Sequence, residues 1–429
     1  LISLFNPIVI KHDFITKRGH CQEKSLQTSL IRNKTVQSKI LSTITEIFPF
    51  LTANGLVNYT HMKSAIIHDH FAQDGGAERV ARALLSLFPE SPVFTIVHDK
   101  KIFDDENFNQ NVKTSFIQKI PLGVRKYQWF LSIMPTATES YNLNDYNLLI
   151  SSSSIFSKGI ITPPNATHIC YCHTPPRFLW TDCHNYLKEL KQNFFIKKFI
   201  PFFLTNLRMW DKLAAERVDY FIANSLEVQK RIKKYYNRES IVIHPPVETS
   251  KFRISESIGD YFLAGGRMVG YKRFDLIVKA FNRLNIPLKI FGGGPLLKIL
   301  KSSARPNIQF LGKISEENKI KIFSRCRAFL NPQFEDFGIT AIEAMASGRP
   351  VIAYRSGGAL ETVVEGKTGT FFEEQTWEDL ADKILRFDNK NYNPAEIKKH
   401  AEQFDISVFN EKILEFVGSI YPDTNKSIS

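Results

Sequence analysis

Cysteine is scarce in this chain, acids are outnumbered by bases, and no long uninterrupted apolar run occurs. Five cysteines (Cys21, Cys170, Cys172, Cys183 and Cys326) stand among 429 residues, an odd number without a repeated CxxC spacing. That excludes a dense disulfide scaffold and any recognised zinc-finger spacing, and it fits a reducing compartment. Cys170 and Cys172, in "CYCH" at 170–173, would share one strand face, as a ligand pair or, more commonly, as buried thiols. The stretch nearest to spanning a bilayer, "NFFIKKFIPFFLTNLRMW" (193–210), is broken by Lys197, Lys198 and Pro201. It falls short of the ~18–20 apolar residues a spanning helix needs. Its phenylalanines interleaved with lysines suit either an anionic membrane surface or a core face with solvated lysines.

The remaining composition is that of a folded protein: 43% hydrophobic, 12% aromatic and 23% charged, too apolar for intrinsic disorder. The length admits two or three domains. Fifty-six Lys and Arg against 43 Asp and Glu give a formal net charge of +13. Nucleic acid, an acidic membrane surface and phosphorylated small molecules are all suitable partners for such a surplus.

Residues 1–61 have few acids and no sustained periodicity, and they begin with Leu rather than Met. The folded protein is expected to start near Met62, with 1–61 a disordered, targeting or untranslated upstream segment. From Ser64 onward, short apolar strands alternate with amphipathic helices. "SAIIHD" leads through "HFAQDGG" to a helix with Ala77, Val80, Ala81, Leu84 and Phe88 on one face, and "PVFTIV" follows. "YNLLIS", "ATHICYC" and "VDYFIAN" read as buried strands, and "SLEVQKRIKKYY" as a basic helix capped by Ser225.

In "IVIHPPVETSKF" a strand runs into Pro245 and Pro246, which places a domain boundary there. The rhythm then restarts with "YFLAGG", a helix near 273–284, "PLKIF", a helix near 295–303, "NIQFLG" and a helix opened by Ser315. "RAFLNP", "RPVIAY" and a helix opened by Thr376, with Asp379 completing a capping box, follow. The fold class is α/β, with two Rossmann-like doubly wound domains facing across a cleft. The expected bounds are 62–246, 247–405 and a final helix at 406–421.

"FEDFGITAIEAM" (334–345) carries the sharpest chemistry. A strand ends near Leu330, Gly338 lets a ligand come close, and a helix begins near Ile339 with free amides suited to an anion. Eight helical residues rise about 12 Å, so Glu335 and Glu343 would grip opposite ends of an extended ligand. Carboxylates accept hydroxyl protons, so both ends should carry hydroxyls and the middle negative charge, as in a nucleotide sugar. "GGRMVGYKRFD" (265–275) supplies Arg267 and Lys272 for a diphosphate. "FGGGP" (291–295) lacks the spacing of a dinucleotide fingerprint and reads as a tight turn beside the pocket.

Arg267, Lys272, Glu335 and Glu343 at this spacing, with "ASGRPVIAYRSGG" after them, resemble the retaining glycosyltransferases of family 4, of GT-B fold. "HDHFAQDGGAERV", "CYCHTPPRFLW", "RMWDKLAAERVDYFIANS" and "PPVETSKF" resemble the subgroup containing bacterial O-antigen mannosyltransferases. The resemblance implies that Arg267 and Lys272 hold the donor diphosphate and Glu343 the ribose. It implies that Glu335, with the backbone of Asp336, Phe337 and Gly338, holds the hexose, and that the amides of Ile339 and Thr340 hold a phosphate. Gly75 and Gly76 would let the first domain approach the donor, His173 would stand near the reacting sugar, and 407–421 would cross back to the first domain.

The expected activity is therefore transfer of a hexose, mannose from GDP-mannose first, to a glycan or lipid-linked acceptor, with UDP-hexoses as the alternative donors. The nucleotide sugar is a co-substrate, and no cofactor or metal is expected. The expected location is the cytoplasm or an organelle stroma, peripheral on a membrane through 193–210. A basic α/β protein that binds nucleic acid is the reading from another class, and salt-sensitive DNA or RNA binding would mark it.

Overall fold

The computed structural model describes residues 62–102, 111–184 and 194–421. The reading of 1–61 and the first part of 193–210 lie outside what is described. Among the described residues thirteen strands divide between two sheets, every pairing parallel. The first holds β1 (Ser64–His68), β2 (Val93–Thr95), β3 (Val112–Thr114), β4 (Leu148–Ser153), β5 (Thr167–Cys172), β6 (Tyr220–Ala223) and β7 (Ser240–Val242), ordered β3-β2-β1-β4-β5-β6-β7. The second holds β8 (Phe262–Gly265), β9 (Leu288–Phe291), β10 (Ile308–Gly312), β11 (Phe329–Asn331), β12 (Val351–Tyr354) and β13 (Gly369–Phe372), ordered β10-β9-β8-β11-β12-β13. In both sheets the order reverses beside the first strand, between β1 and β4 and between β8 and β11. Such switch points leave a crevice at the carboxyl ends of the strands.

The central strands read as apolar runs because helices cover both sheet faces. β4 is buried along all six residues, registered with β1 (Ser64 opposite Leu148, His68 opposite Ser152) and β5 (Ser152 opposite Tyr171). β3 escapes sequence reading because it is a three-residue edge strand with Lys113 and Thr114 exposed. An edge position asks for no hydrophobic pattern.

The helices used below are α1 (Gly76–Leu87), α2 (Phe194–Glu216), α3 (Leu226–Tyr236), α4 (Phe274–Leu284), α5 (Glu316–Arg325), α6 (Ile339–Ala346), α7 (Trp377–Arg386) and α8 (Ile406–Ile420). Ser225 Oγ accepts the Val228 amide at 3.2 Å and caps α3, and Ser315 Oγ caps α5 through Asn318 at 3.3 Å. At α7 only half of the expected capping box forms. Thr376 accepts the Asp379 amide at 3.3 Å, but the Asp379 carboxylate accepts the amides of Glu373 and Glu374, both at 2.7 Å. That carboxylate fixes the loop before the helix rather than closing the box. α2 runs through Pro201 without a break.

After β7 the chain passes to the second sheet through 243–261. Val247 exchanges backbone hydrogen bonds with Phe404 and Ile406 at 3.1 and 3.0 Å, so the returning chain crosses the outgoing one there. α8 then packs on the first half. Phe409 lies 5.8 Å from the Tyr171 ring, Phe416 lies 6.0 Å from Tyr220, and Tyr421 donates to the Asn147 carbonyl at 3.3 Å. Cys170 and Cys172 are buried with Ala215, Val218 and Phe221. Burial pushes the Cys170 thiol up to about 12. Among the described residues no three His, Cys, Asp or Glu side chains converge as a metal site would require.

Candidate functional site

The loop between β11 and α6 is built around two backbone requirements. Gly338 has φ +102°, a conformation that L side chains rarely adopt, and it turns the chain directly into α6. Gly358 donates its amide to the Glu335 carbonyl at 2.9 Å. A Cβ on Gly358 would stand 2.5 Å from the Asp336 carbonyl oxygen, so only glycine lets the 356–358 turn support this loop from behind. Held in this way, Glu335 accepts Lys272 Nζ at 2.5 Å on Oε1 and Gln333 Nε2 at 2.8 Å on Oε2. Burial alone would raise the Glu335 pKa, yet Lys272 and Gln333 hold it below the usual carboxylate value. Burial likewise works against the Lys272 ammonium, and Glu335 holds its pKa above the ordinary value. Both groups are charged at neutral pH.

The first half presents α1, β4 and β5. Gly76 opens α1, and a Cβ there would sit 3.0 Å from Ile339 Cδ1 across the cleft. His173 follows β5, with Nε2 2.8 Å from Ser152 Oγ, and that hydroxyl also lies 3.1 Å from His68 Nδ1. Burial, with His68 adding to it, lowers the His173 pKa to about 4. The imidazole is therefore neutral at pH 7 and serves as a hydrogen-bonding group, not a charge. Asp69 fixes the loop after β4 by accepting four amides, those of Ser154, Ile155, Phe156 and Ser157, at 2.6–2.9 Å. Burial opposes its charge, but His68 and the Ser157 and Ser154 amides keep its pKa low.

Between the halves lies a cleft of about 400 Å³. Of the candidates from sequence, Gly76, His173, Lys272, Glu335, Asp336, Phe337, Gly338, Ile339 and Thr340 line it. Arg267, Gly75 and Glu343 do not. Arg267 is exposed and donates to Gln73 of the first half at 3.0 Å. Gly75 is the residue before α1. For Glu343 the structure corrects the 12 Å estimate, because the helix begins only at Ile339 and the rise from there to Glu343 is about 6 Å. Glu343 is 2% exposed and accepts Arg79 Nη1 at 2.6 Å and Lys319 Nζ at 2.5 Å.

Sequence reasoning missed the cations that join the halves. Asp336, singled out for its backbone, accepts Arg177 at 2.7 Å and Arg231 at 2.5 Å through Oδ1. Arg177 follows the double proline of "TPPRFLW", and that segment is tied to α2 where Trp180 Nε1 donates to buried Asp211 at 2.8 Å. Asp211 also accepts Lys158 at 2.5 Å and Tyr236 at 2.9 Å. Opposite, the Glu361 carboxylate accepts the Leu226 and Glu227 amides at 2.8 and 3.1 Å, capping α3 from the other half.

Two Rossmann-like halves meeting at their switch points have solved counterparts. Anabaena HepE, crystallised with UDP, superposes with a TM-score of 0.63 at 17% identity over 83% of this chain and 100% of that one. This is the GT-B fold. Residues 248–404, in the second half of the GT-B pair, match the family model "Glycosyl transferases group 1". An uncharacterized glycosyltransferase of Methanocaldococcus jannaschii is 27% identical over 221 residues, 50% of this chain and 63% of its own length. The O-antigen chain mannosyltransferase C of Escherichia coli is 29% identical over 178 residues, 37% of this chain and 45% of its own. The chain thus spans about half the length of these curated relatives. Among the described residues no helix of the GT-B pair is long and apolar enough to cross a membrane.

Proposed function

We propose that this chain is a retaining hexosyltransferase of family 4 that moves mannose from GDP-mannose to a glycan or lipid-linked acceptor. The observation that carries this reading is the Lys272–Glu335 pair at the amino end of α6, inside a cleft that the first half closes. Lys272 and Arg267 would take the donor diphosphate together with the amides of Ile339 and Thr340. Glu335 and the backbone of Asp336–Gly338 would take the hexose hydroxyls. The ribose would replace Arg79 on Glu343. The acceptor hydroxyl oxygen bonds to the anomeric carbon, the bond from that carbon to the diphosphate oxygen breaks, and the hydroxyl proton passes to the leaving diphosphate. Such a route asks the protein for positioning and charge stabilisation rather than a covalent nucleophile. No cofactor or metal takes part in this scheme.

Mannose is favoured by the likeness to the O-antigen chain mannosyltransferase, GDP by the family resemblance of the sequence motifs, and UDP-hexoses are the alternative. Peripheral membrane attachment is supported by Phe199 and Phe202, which are 69% and 72% exposed on α2. Calorimetric titration of the full chain with GDP, UDP and ADP, repeated on Arg267→Ala/Lys272→Ala, tests the reading. Selective GDP binding lost in the double variant is the expected result, and selective UDP binding keeps the fold and changes the donor. No binding of any of the three, nor of GDP-mannose or UDP-glucose, refutes the transferase.

A further inference from the structure

Behind the cleft wall of the first half runs a line of polar side chains whose inner members the proposed reaction does not use. β4 lies between β1 and β5, and the carboxyl ends of these strands bring together His68, Ser152 and His173, the residue just past β5. His68 stands opposite Ser152 in the β1–β4 register. Beyond His68 lies Glu78, in the first turn of α1, with Oε1 3.9 Å from His68 Nε2 and 3.9 Å from His70 Nδ1. Burial works against the Glu78 charge, but His68 and His70 hold its pKa below the ordinary carboxylate value. The line is buried from Glu78 to Ser152, and of the four residues His173 alone lines the cleft.

What each atom can do fixes the direction of the hydrogen bonds along this line. The Ser152 carbonyl oxygen only accepts, and His68 Nδ1 lies 3.2 Å from it, so Nδ1 carries a proton. The same N–H reaches Ser152 Oγ at 3.1 Å. That hydroxyl, accepting on one side, still has its own proton to give, and His173 Nε2 is in reach at 2.8 Å. His173, neutral at pH 7, carries one N–H in all. The tautomer of a neutral histidine is set by the hydrogen bond its other nitrogen makes. With Nε2 accepting, the His173 proton sits on Nδ1, an atom that has no hydrogen-bond partner among the described residues. Glu78 stands at the Nε2 edge of His68, which turns the Nδ1 edge of that ring towards Ser152.

We infer that Ser152 and His68, backed by Glu78, are positioning residues that hold His173 as the Nδ1–H tautomer, so that it offers a hydrogen-bond donor to a hydroxyl oxygen of the ligand in the cleft. The identity of that ligand rests on the transferase reading, whereas the tautomer does not. The consequence for the reaction is specific. An Nδ1–H cannot take the acceptor's proton, so His173 helps to place a hydroxyl and the leaving diphosphate is left as the base.

The test reads the tautomer itself. Histidine ring nitrogens are isotopically labelled in the full chain and observed by NMR at pH 7, with the His173 signals assigned by their loss in His173→Gln. A protonated Nδ1 and an unprotonated Nε2 are the expected result. Ser152→Ala should move the proton towards Nε2. His68→Asn, whose side-chain amide can stand where Nδ1 does, should leave it on Nδ1. Release of nucleoside diphosphate from GDP-mannose or UDP-glucose supplies the functional readout. Ser152→Ala is expected to lower kcat roughly 3- to 10-fold, and to add no further loss in a His173→Gln chain. Thermal unfolding checks that the Ser152→Ala chain is folded. A proton on Nε2 in wild type, or a tautomer that Ser152→Ala leaves unchanged, overturns the assignment whether or not nucleotide binds. An Nδ1–H that responds to Ser152→Ala in a chain that binds no nucleotide would instead defeat the donor reading and leave the positioning intact.

Discussion

Removing the Lys272 charge separates two jobs that one side chain performs. In the ligand-free protein Lys272 neutralises Glu335 at 2.5 Å, with the two side chains only 14% and 19% exposed. In the proposed reaction it also stabilises charge on the leaving diphosphate. Lys272→Met leaves a mostly buried carboxylate without its cation, a change that costs about 3–5 kcal/mol at fully buried sites and less here because of the remaining exposure. It also deletes one charge-assisted hydrogen bond to the donor, about 1.5–3 kcal/mol, which converts to a roughly 10- to 150-fold loss of kcat/KM. Adding Glu335→Gln removes the orphaned charge and should recover most of the lost Tm while leaving turnover low. The cycle of two single variants and the double isolates the pairwise term. The assay is thermal unfolding beside release of nucleoside diphosphate from GDP-mannose or UDP-glucose. A kcat/KM within about threefold of wild type in Lys272→Met, or turnover restored by Glu335→Gln, would reduce Lys272 to a structural counter-ion.

Acid should weaken the fold before it protonates the carboxylates. Burial depresses His173 to about 4 and His168 to about 3, against ~6.5 in the unfolded chain, so the unfolded chain binds more protons in between. Their contribution is complete above ~6.5 and falls with pH by about 2 kcal/mol each at pH 5; a Tm equal at pH 7 and 5 would contradict this. Gly358→Ala, whose Cβ would press on Asp336 and Phe337, should shift the Glu335 loop at a cost of about 1–3 kcal/mol. Nucleotide affinity unchanged by this substitution would show that the loop does not hold the ligand.

The strand order could not be read from the sequence, but the alternation that produces it could. β4, β5, β8 and β12 are short apolar runs because both sheet faces are covered. The turn at Gly338 was legible for a local reason: a strand end, a glycine and a helix start within a few residues imply a particular backbone path. What stayed hidden was partner choice. Lys272 and Glu335 lie 63 residues apart, and Arg79 and Glu343 lie 264 apart. No local pattern states which cation meets which carboxylate. The spacing offers Glu343 to one end of a ligand, whereas folding places Arg79 and Lys319 on it. The motif points to the backbone of Asp336, whereas its carboxylate gathers arginines from the opposite half.

Those pairings change how the cleft recognises anything. Its lining cations already sit on its lining carboxylates, and His173 is neutral, so the empty cleft has little net charge to attract an anion. A diphosphate gains there only from the fixed amides of α6, from Arg267 at the margin, and by drawing Lys272 away from Glu335. That last exchange uncovers a buried carboxylate, which is unfavourable unless hydroxyls take the vacated positions. Pyrophosphate has the charge without the hydroxyls, and a free hexose has the hydroxyls without the charge. A ligand joining both in one molecule completes the exchange, and this is the physical reason for a nucleotide sugar to bind such a cleft more tightly than either of its parts.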